Sequence, residues 1–252
     1  MKHTLAKMIT VFFVVSVLLA GCGQSRSDSV RVGTDATWPP FEMISDETEE
    51  LVGFDIELMN AIAKKAGFEV DYINISFDPL LAGMAQCQYD AAISALTITP
   101  DREQVFAFSD PYFAAGQIVV VRIDNMDITG PDTLTGKVVG VLMDSTGDLE
   151  AQKIDGAIIQ RYDDIGMAFQ DLMNGQIESV IVDNPLALGT VGEYPELLKT
   201  VGEIFTDENY GIAVCKTNSE LVERINTALA ELIDEGYIDQ LTVTWIVGGG
   251  SK

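Results

Sequence analysis

Short apolar runs of strand length alternate with stretches of helical period along this chain, and that alternation restricts it to an α/β fold. Residues 30–34 alternate as a strand, and Pro39 and Pro40 break the run into a loop. Residues 54–66 follow a helical period, with Ile56, Met59, Ile62, Ala63 and Ala66 on one face and Gly67 as the stop. Residues 70–73 form the next strand. Asp78 and Pro79 suit the N-cap and first position of a short helix through Leu80, Leu81 and Met84, after which residues 91–93 return as strand. Strand–helix–strand order of this kind predicts right-handed crossovers and a mostly parallel sheet.

A second series follows residues 116–121, with strands at 138–141, 158–161 and 180–182 and a helix over 164–174 that ends at Gly175. These strands either extend the first sheet or build a second α/β lobe, and their number does not choose. Residues 210–214 read as strand. Ser219 caps an amphipathic helix carrying Leu221, Ile225, Leu229, Leu232 and Ile233, which Gly236 stops. At 252 residues and 47% apolar composition the chain has room for one large or two modest cores.

The start of the chain reads as a processing segment. Lys2, His3 and Lys7 supply positive charge before an apolar run over residues 8–20, which is shorter than the roughly 20 residues a spanning helix needs. The run ends in Leu19-Ala20-Gly21-Cys22, similar to the bacterial lipoprotein signal box. This predicts a signal peptide over residues 1–21, lipidation at Cys22, and a linker over 22–29. Cys87 and Cys215 can form one disulfide in an exported chain, but their spacing does not demand it, and the simpler expectation is two buried thiols. The formal net charge of −24 argues against nucleic acid as a partner. The only histidine, His3, lies in the leader, so Ser-His and Cys-His catalysis and histidine-containing zinc sites are excluded from the remainder. No metal or cofactor site is expected.

The run VGTDATWPPFE (residues 32–42) resembles the N-terminal signature of the bacterial extracellular solute-binding proteins of family 3, which bind polar amino acids for import. The likeness continues in GFDIELMNAIAKKAG (53–67), YDAAISALTITPDREQVFAFSDPYF (89–113), VDNP (182–185) and YGIAV (210–214), nearly the length of the mature chain. It implies a type II periplasmic-binding-protein fold: two α/β lobes joined by two strands, with lobe one at 30–115 and 212–252 and lobe two at 116–211. The crossings then fall near residues 114–119 and 208–212. It also implies a ligand captured in the cleft by hinge closure, with an ATP-driven permease as the membrane partner.

A zwitterion that leaves water needs both its charges matched, or desolvation cancels the binding. By the resemblance, Arg102 of the TPDR motif clamps the ligand carboxylate with its planar fork, and Asp183, at the end of an apolar strand, accepts the ammonium. Thr97 contributes its hydroxyl and Ala95 its carbonyl, Thr146 and Gly147 offer backbone N–H groups from lobe two, and Trp38 and Phe77 flank the ligand side chain. The bland alternatives are exposed surface charges and ordinary aromatic core. Asp35 suits an ammonium, guanidinium or amide at the ligand's far end, and the aromatic rings favour a cation. Met143 stands where glutamine binders of the family carry a lysine, and Val182 replaces a polar residue. Arginine or lysine is therefore the expected ligand, with glutamine as the alternative. The fold also serves sensors, lytic transglycosylases and a cyclohexadienyl dehydratase, but Asp35 and Asp183 fit recognition better than acid–base work. The chain is expected to be a monomer, tethered outside the cytoplasm in a periplasm or on the outer cell surface.

Overall fold

The computed structural model describes residues 28–248. The expected leader, linker and lipidation site at Cys22 lie outside these residues. Two five-stranded sheets organise the molecule, each the centre of one of two lobes. In the first the order is Phe68–Asn74, Asp28–Thr34, Ala91–Ala92, Ala213–Cys215 and Phe106–Phe108, the first three strands parallel and the last two antiparallel. The second repeats this plan with Ile158–Tyr162, Val138–Leu142, Ser179–Asp183, Gln117–Arg122 and Leu198–Val201.

In both sheets the parallel strands stand in the spatial order second, first, third in chain sequence. The crossovers after the first strand therefore part to opposite sides, which opens a crevice at the carboxyl ends of the first and third strands. The three central strands of the second sheet are buried on both faces. Val119, Val121, Val139, Val141 and Ile181 belong to one core cluster, whereas Val120, Val180 and Val182 belong to the other. This explains why its strands read as continuous apolar runs rather than as alternation.

A two-stranded ribbon lies between the sheets. Phe113–Ala115 pairs antiparallel with Glu208–Tyr210, so the chain passes through this ribbon once in each direction. The strand expected over residues 210–214 is accordingly two strands. One belongs to the ribbon and the other, Ala213–Cys215, to the first sheet, with Gly211 and Ile212 as the step between them.

Local signals placed the four expected helices to within a residue or two, and four further α-helices, Pro100–Val105, Thr146–Ala151, Asn184–Glu193 and Tyr237–Leu241, were not expected. Phe54–Ala66 ends at Gly67 in the left-handed conformation, with φ 77°. Ile165–Met173 is capped by Asp164, whose side chain accepts from the Gly166 N–H. Two caps differ from expectation. Ser76, not Asp78, precedes the helix Phe77–Ala85, and Asp78 sits in its first turn where a carboxylate favours the helix dipole. Asn218, not Ser219, caps Ser219–Asp234, accepting from Leu221 N at 3.2 Å.

The cysteines also differ from expectation. Cys87 and Cys215 form a disulfide with a Cα separation of 5.2 Å, which ties the loop after Phe77–Ala85 to the strand that leaves the ribbon. The bridge spans 128 residues, and closing so long a loop removes about 5 kcal/mol of unfolded-chain entropy in the chain-entropy model. Replacing both cysteines by serine is expected to lower unfolding stability by about 2–5 kcal/mol in a denaturant titration. An unchanged midpoint would mean that no such bridge constrains the unfolded chain.

Candidate functional site

The two crevices face one another across a narrow cavity. Its walls come from the carboxyl ends of the first and third strands of each sheet. Asp35 follows Asp28–Thr34, residues 94–97 follow Ala91–Ala92, Ser145 and Thr146 follow Val138–Leu142, and Asp183 ends Ser179–Asp183. Eight residues expected to meet ligand line this cavity: Asp35, Trp38, Phe77, Ala95, Thr97, Arg102, Thr146 and Asp183. Gly147 is buried behind the wall. A Cβ there would lie 2.9 Å from Gln117 Oε1 and 3.0 Å from the Ile181 carbonyl, so the space admits only glycine. Met143 lines a neighbouring cavity with Phe77 and Asp78.

Arg102 is positioned by its short helix. Thr99 caps Pro100–Val105, accepting from Arg102 N at 3.2 Å, and Pro100 occupies the first turn where its missing N–H costs nothing. The guanidinium donates to the Thr97 carbonyl at 2.8 Å and to the Asp144 carbonyl at 3.2 Å, and lies 5.4 Å from the Phe77 ring centroid. It is 8% exposed. Burial lowers its pKa to about 10, against the pull of Asp183, Glu208 and Asp144, so it remains a cation at neutral pH.

Asp183 is 5% exposed and accepts hydrogen bonds from the Gln117 amide and from the Tyr210 hydroxyl. Burial, followed by the nearby Glu208, raises its pKa to about 7. Among the described residues neither Arg102 nor Asp183 enters an ion pair. One buried cation and one buried acid thus face the same cavity without a partner.

At the other end Asp35 receives the Thr37 hydroxyl on Oδ1 at 3.0 Å, while Oδ2 is buried without a hydrogen-bond partner. Burial raises this carboxyl to about 6. Trp38 and Phe77 are both buried members of the core and walls of the cavity, so the packing and binding alternatives do not exclude each other.

Several residues without an expected role hold this arrangement together. Ala95 has φ 42°, a left-handed conformation unusual for alanine, and its N–H is pinned by Asp55 Oδ2 at 2.7 Å, which also accepts the Tyr112 hydroxyl at 2.8 Å. Glu42 lines the cavity and accepts from Ser94 Oγ at 3.1 Å. Burial, followed by the Asp55 charge, pushes Glu42 well above the usual carboxylate range. Glu42 and Tyr210 fall within the runs that carried the family likeness, yet nothing in their spacing marked them as site residues. Glu208 and Gln117 carried no signal at all. Among the described residues no cluster of His, Cys, Asp and Glu side chains is arranged to hold a metal ion, and no helix is long and apolar enough to cross a membrane.

The model of the bacterial extracellular solute-binding proteins, family 3, matches residues 30–248. The chain belongs to this family. Its members are extracytoplasmic substrate-binding components of ABC transporters for amino acids. The chain is 32% identical to the L-cystine-binding protein TcyJ of Escherichia coli K12, over 86% of this chain and 82% of that protein. It is 33% identical to ABC transporter arginine-binding protein 1 of the same strain, over 92% and 97% respectively. Among solved structures it resembles an ancestral arginine-binding protein bound to arginine, with a TM-score of 0.83, 41% identity, and coverage of 87% of this chain and 99% of that one. These family relatives are binding proteins rather than enzymes.

The buried acids make a pH prediction. Asp35, Asp55 and Asp183 carry folded pKa values raised from 3.8 to about 6, 6 and 7, so between those limits the ligand-free native state holds more protons than the unfolded chain. Stability conferred by this excess is lost as pH rises through the folded values. The ligand-free thermal midpoint is therefore expected to fall between pH 5 and pH 8, and Asp183→Asn should flatten the fall. A midpoint that climbs over this interval would contradict the assignment.

Proposed function

We propose that this chain is the substrate-binding component of an ABC importer for a cationic L-amino acid, arginine or lysine. The carrying observation is the trio of buried charges around one cavity, Arg102, Asp183 and Asp35, none in an ion pair among the described residues. In this reading Arg102 takes the ligand carboxylate with its fork, helped by the backbone N–H groups of Thr146 and Gly147. Asp183 takes the ammonium with the Thr97 hydroxyl and the Ala95 carbonyl. Trp38 and Phe77 flank the side chain, and Asp35 Oδ2 receives its terminal cation. Each charge loses water on closure and is repaid only by an ionic partner, which a free amino acid supplies.

Asp35 argues for the cationic ligands over the others that relatives are named for. The second zwitterion of cystine would bring it a carboxylate along with an ammonium, and a neutral glutamine amide would leave its charge uncompensated. The lobes divide in this reading at 30–115 with 212–252, and at 116–211, and the ribbon of Phe113–Ala115 and Glu208–Tyr210 is the hinge. Cys22, in its signal box, carries the lipid that tethers a monomeric protein at the membrane, where the permease docks on the closed form. Catalysis has no place in the scheme, because Arg102, Asp183 and Asp35 each meet a ligand charge.

Calorimetric titration of refolded, ligand-stripped protein with arginine, lysine, histidine, glutamine and cystine tests the proposal. Arginine or lysine is expected to bind tightest. Arg102→Lys should weaken arginine binding by about 100-fold, the scale of a lost buried bidentate contact. Asp35→Asn should cost arginine more than glutamine. A preference for glutamine or cystine in the unaltered protein would overturn the ligand assignment, and equal losses for Asp35→Asn would remove this residue as the discriminator.

A further inference from the structure

Glu208 is buried, 7% exposed, on the ribbon strand Glu208–Tyr210, where the chain passes between the lobes. Its Oε2 accepts two hydroxyls, Thr97 Oγ1 at 2.8 Å and Thr146 Oγ1 at 2.8 Å, while Oε1 accepts Thr206 Oγ1 at 2.8 Å. Thr97 follows a strand of the first sheet and Thr146 follows a strand of the second. One carboxylate oxygen on the ribbon thus accepts a hydrogen bond from each wall of the cleft.

We propose that Glu208 is a positioning residue that latches the two lobes in the closed form and sets the hydrogen-bond polarity of the ligand site. This inference rests on the reading of the cleft as an amino-acid site and adds to it a residue, and a device, that the cavity lining does not contain. Donor count sets the polarity. A hydroxyl has one proton and a carboxylate only accepts. With its proton committed to Glu208, Thr97 keeps nothing but lone pairs for the cavity and can serve a ligand only as an acceptor, which suits an ammonium. Thr146 is committed in the same way, so it accepts from Gln117 Nε2 at 3.1 Å. This fixes the amide flip of Gln117 and turns its second N–H to Asp183. Polarity set at Glu208 therefore reaches two of the three ammonium acceptors, Thr97 directly and Asp183 through Thr146 and Gln117. Glutamine at position 208 would break the rule, because its NH₂ group can donate to either threonine and free that hydroxyl to point its proton at the ligand.

The test compares L-arginine with its analogue bearing a hydroxyl in place of the α-ammonium, by calorimetry on the unaltered protein, Glu208→Gln and Thr146→Val. Glu208→Gln is expected to weaken arginine by about tenfold or more, the scale of a lost charge-assisted network. It should also reduce the preference for arginine over the hydroxy analogue, a ratio that a general packing defect would not change. Thr146→Val should shrink the same ratio and carries the test should Glu208→Gln not fold. Losses in the double variant should fall short of the sum of the single losses. The latch is overturned if the variants bind arginine like the unaltered protein, or if both ligands lose equally. Failure of the unaltered protein to bind any amino acid would instead overturn the reading of the site, and the latch with it.

Discussion

The structure depends on buried charge that the fold leaves unpaired. Arg102, Asp183 and Asp35 have lost most of their water, yet among the described residues none has an ion-pair partner. Such groups ordinarily neutralise or find a counter-ion, because desolvation in a protein interior costs several kcal/mol for each ion. Here the fold offsets only part of the cost. Tyr210 and Gln117 donate to Asp183, carbonyls of Thr97 and Asp144 accept from Arg102, and Thr37 donates to Asp35. What remains is complementary to a molecule carrying both signs of charge a few bonds apart.

The architecture explains how such groups meet. Each sheet orders its parallel strands so that the first and third lie side by side, and their carboxyl ends form a crevice before any side chain is specified. Duplicating that plan sets two crevices face to face, and the ribbon fixes the distance between them. Cap residues then aim the groups. Thr99 starts the helix that holds Arg102, Ser145 starts the helix on which Thr146 and Gly147 sit, and Asp55 clamps Ala95 in its left-handed turn. Glu208 joins the ribbon to both walls, so hinge and site share one hydrogen-bond network.

Much of this was legible in the sequence. The helices Phe54–Ala66 and Ile165–Met173, each followed by a glycine stop, and the strands around Val139 and Val180 follow from periodicity and stop signals, which are local. Arg102, Asp183 and their neighbours were found by motif likeness, because nothing local separates a cleft charge from a surface charge. What was missed depends on contacts across the chain. The run 210–214 looks like one strand, and only the pairing of Tyr210 with Phe113 and of Ala213 with Phe108 divides it. The Cys87–Cys215 bridge joins residues that spacing could not match. Glu42, Asp55, Gln117 and Glu208 read as ordinary polar residues until folding buries them, and two of these are acids with raised pKa values.

The central claim is that the ligand's ammonium supplies the counter-charge that Asp183 lacks, and its most direct measurement is the proton count of arginine binding. Calorimetric titrations at pH 7 in buffers of different ionisation enthalpy give that count. With its pKa near 7 in the ligand-free protein, Asp183 is about half protonated at this pH and must shed that proton to receive an ammonium. The account predicts a net release of about half a proton per arginine, growing as pH is lowered toward 6 and largely lost in Asp183→Asn. Binding with no proton release, or with uptake, would contradict it.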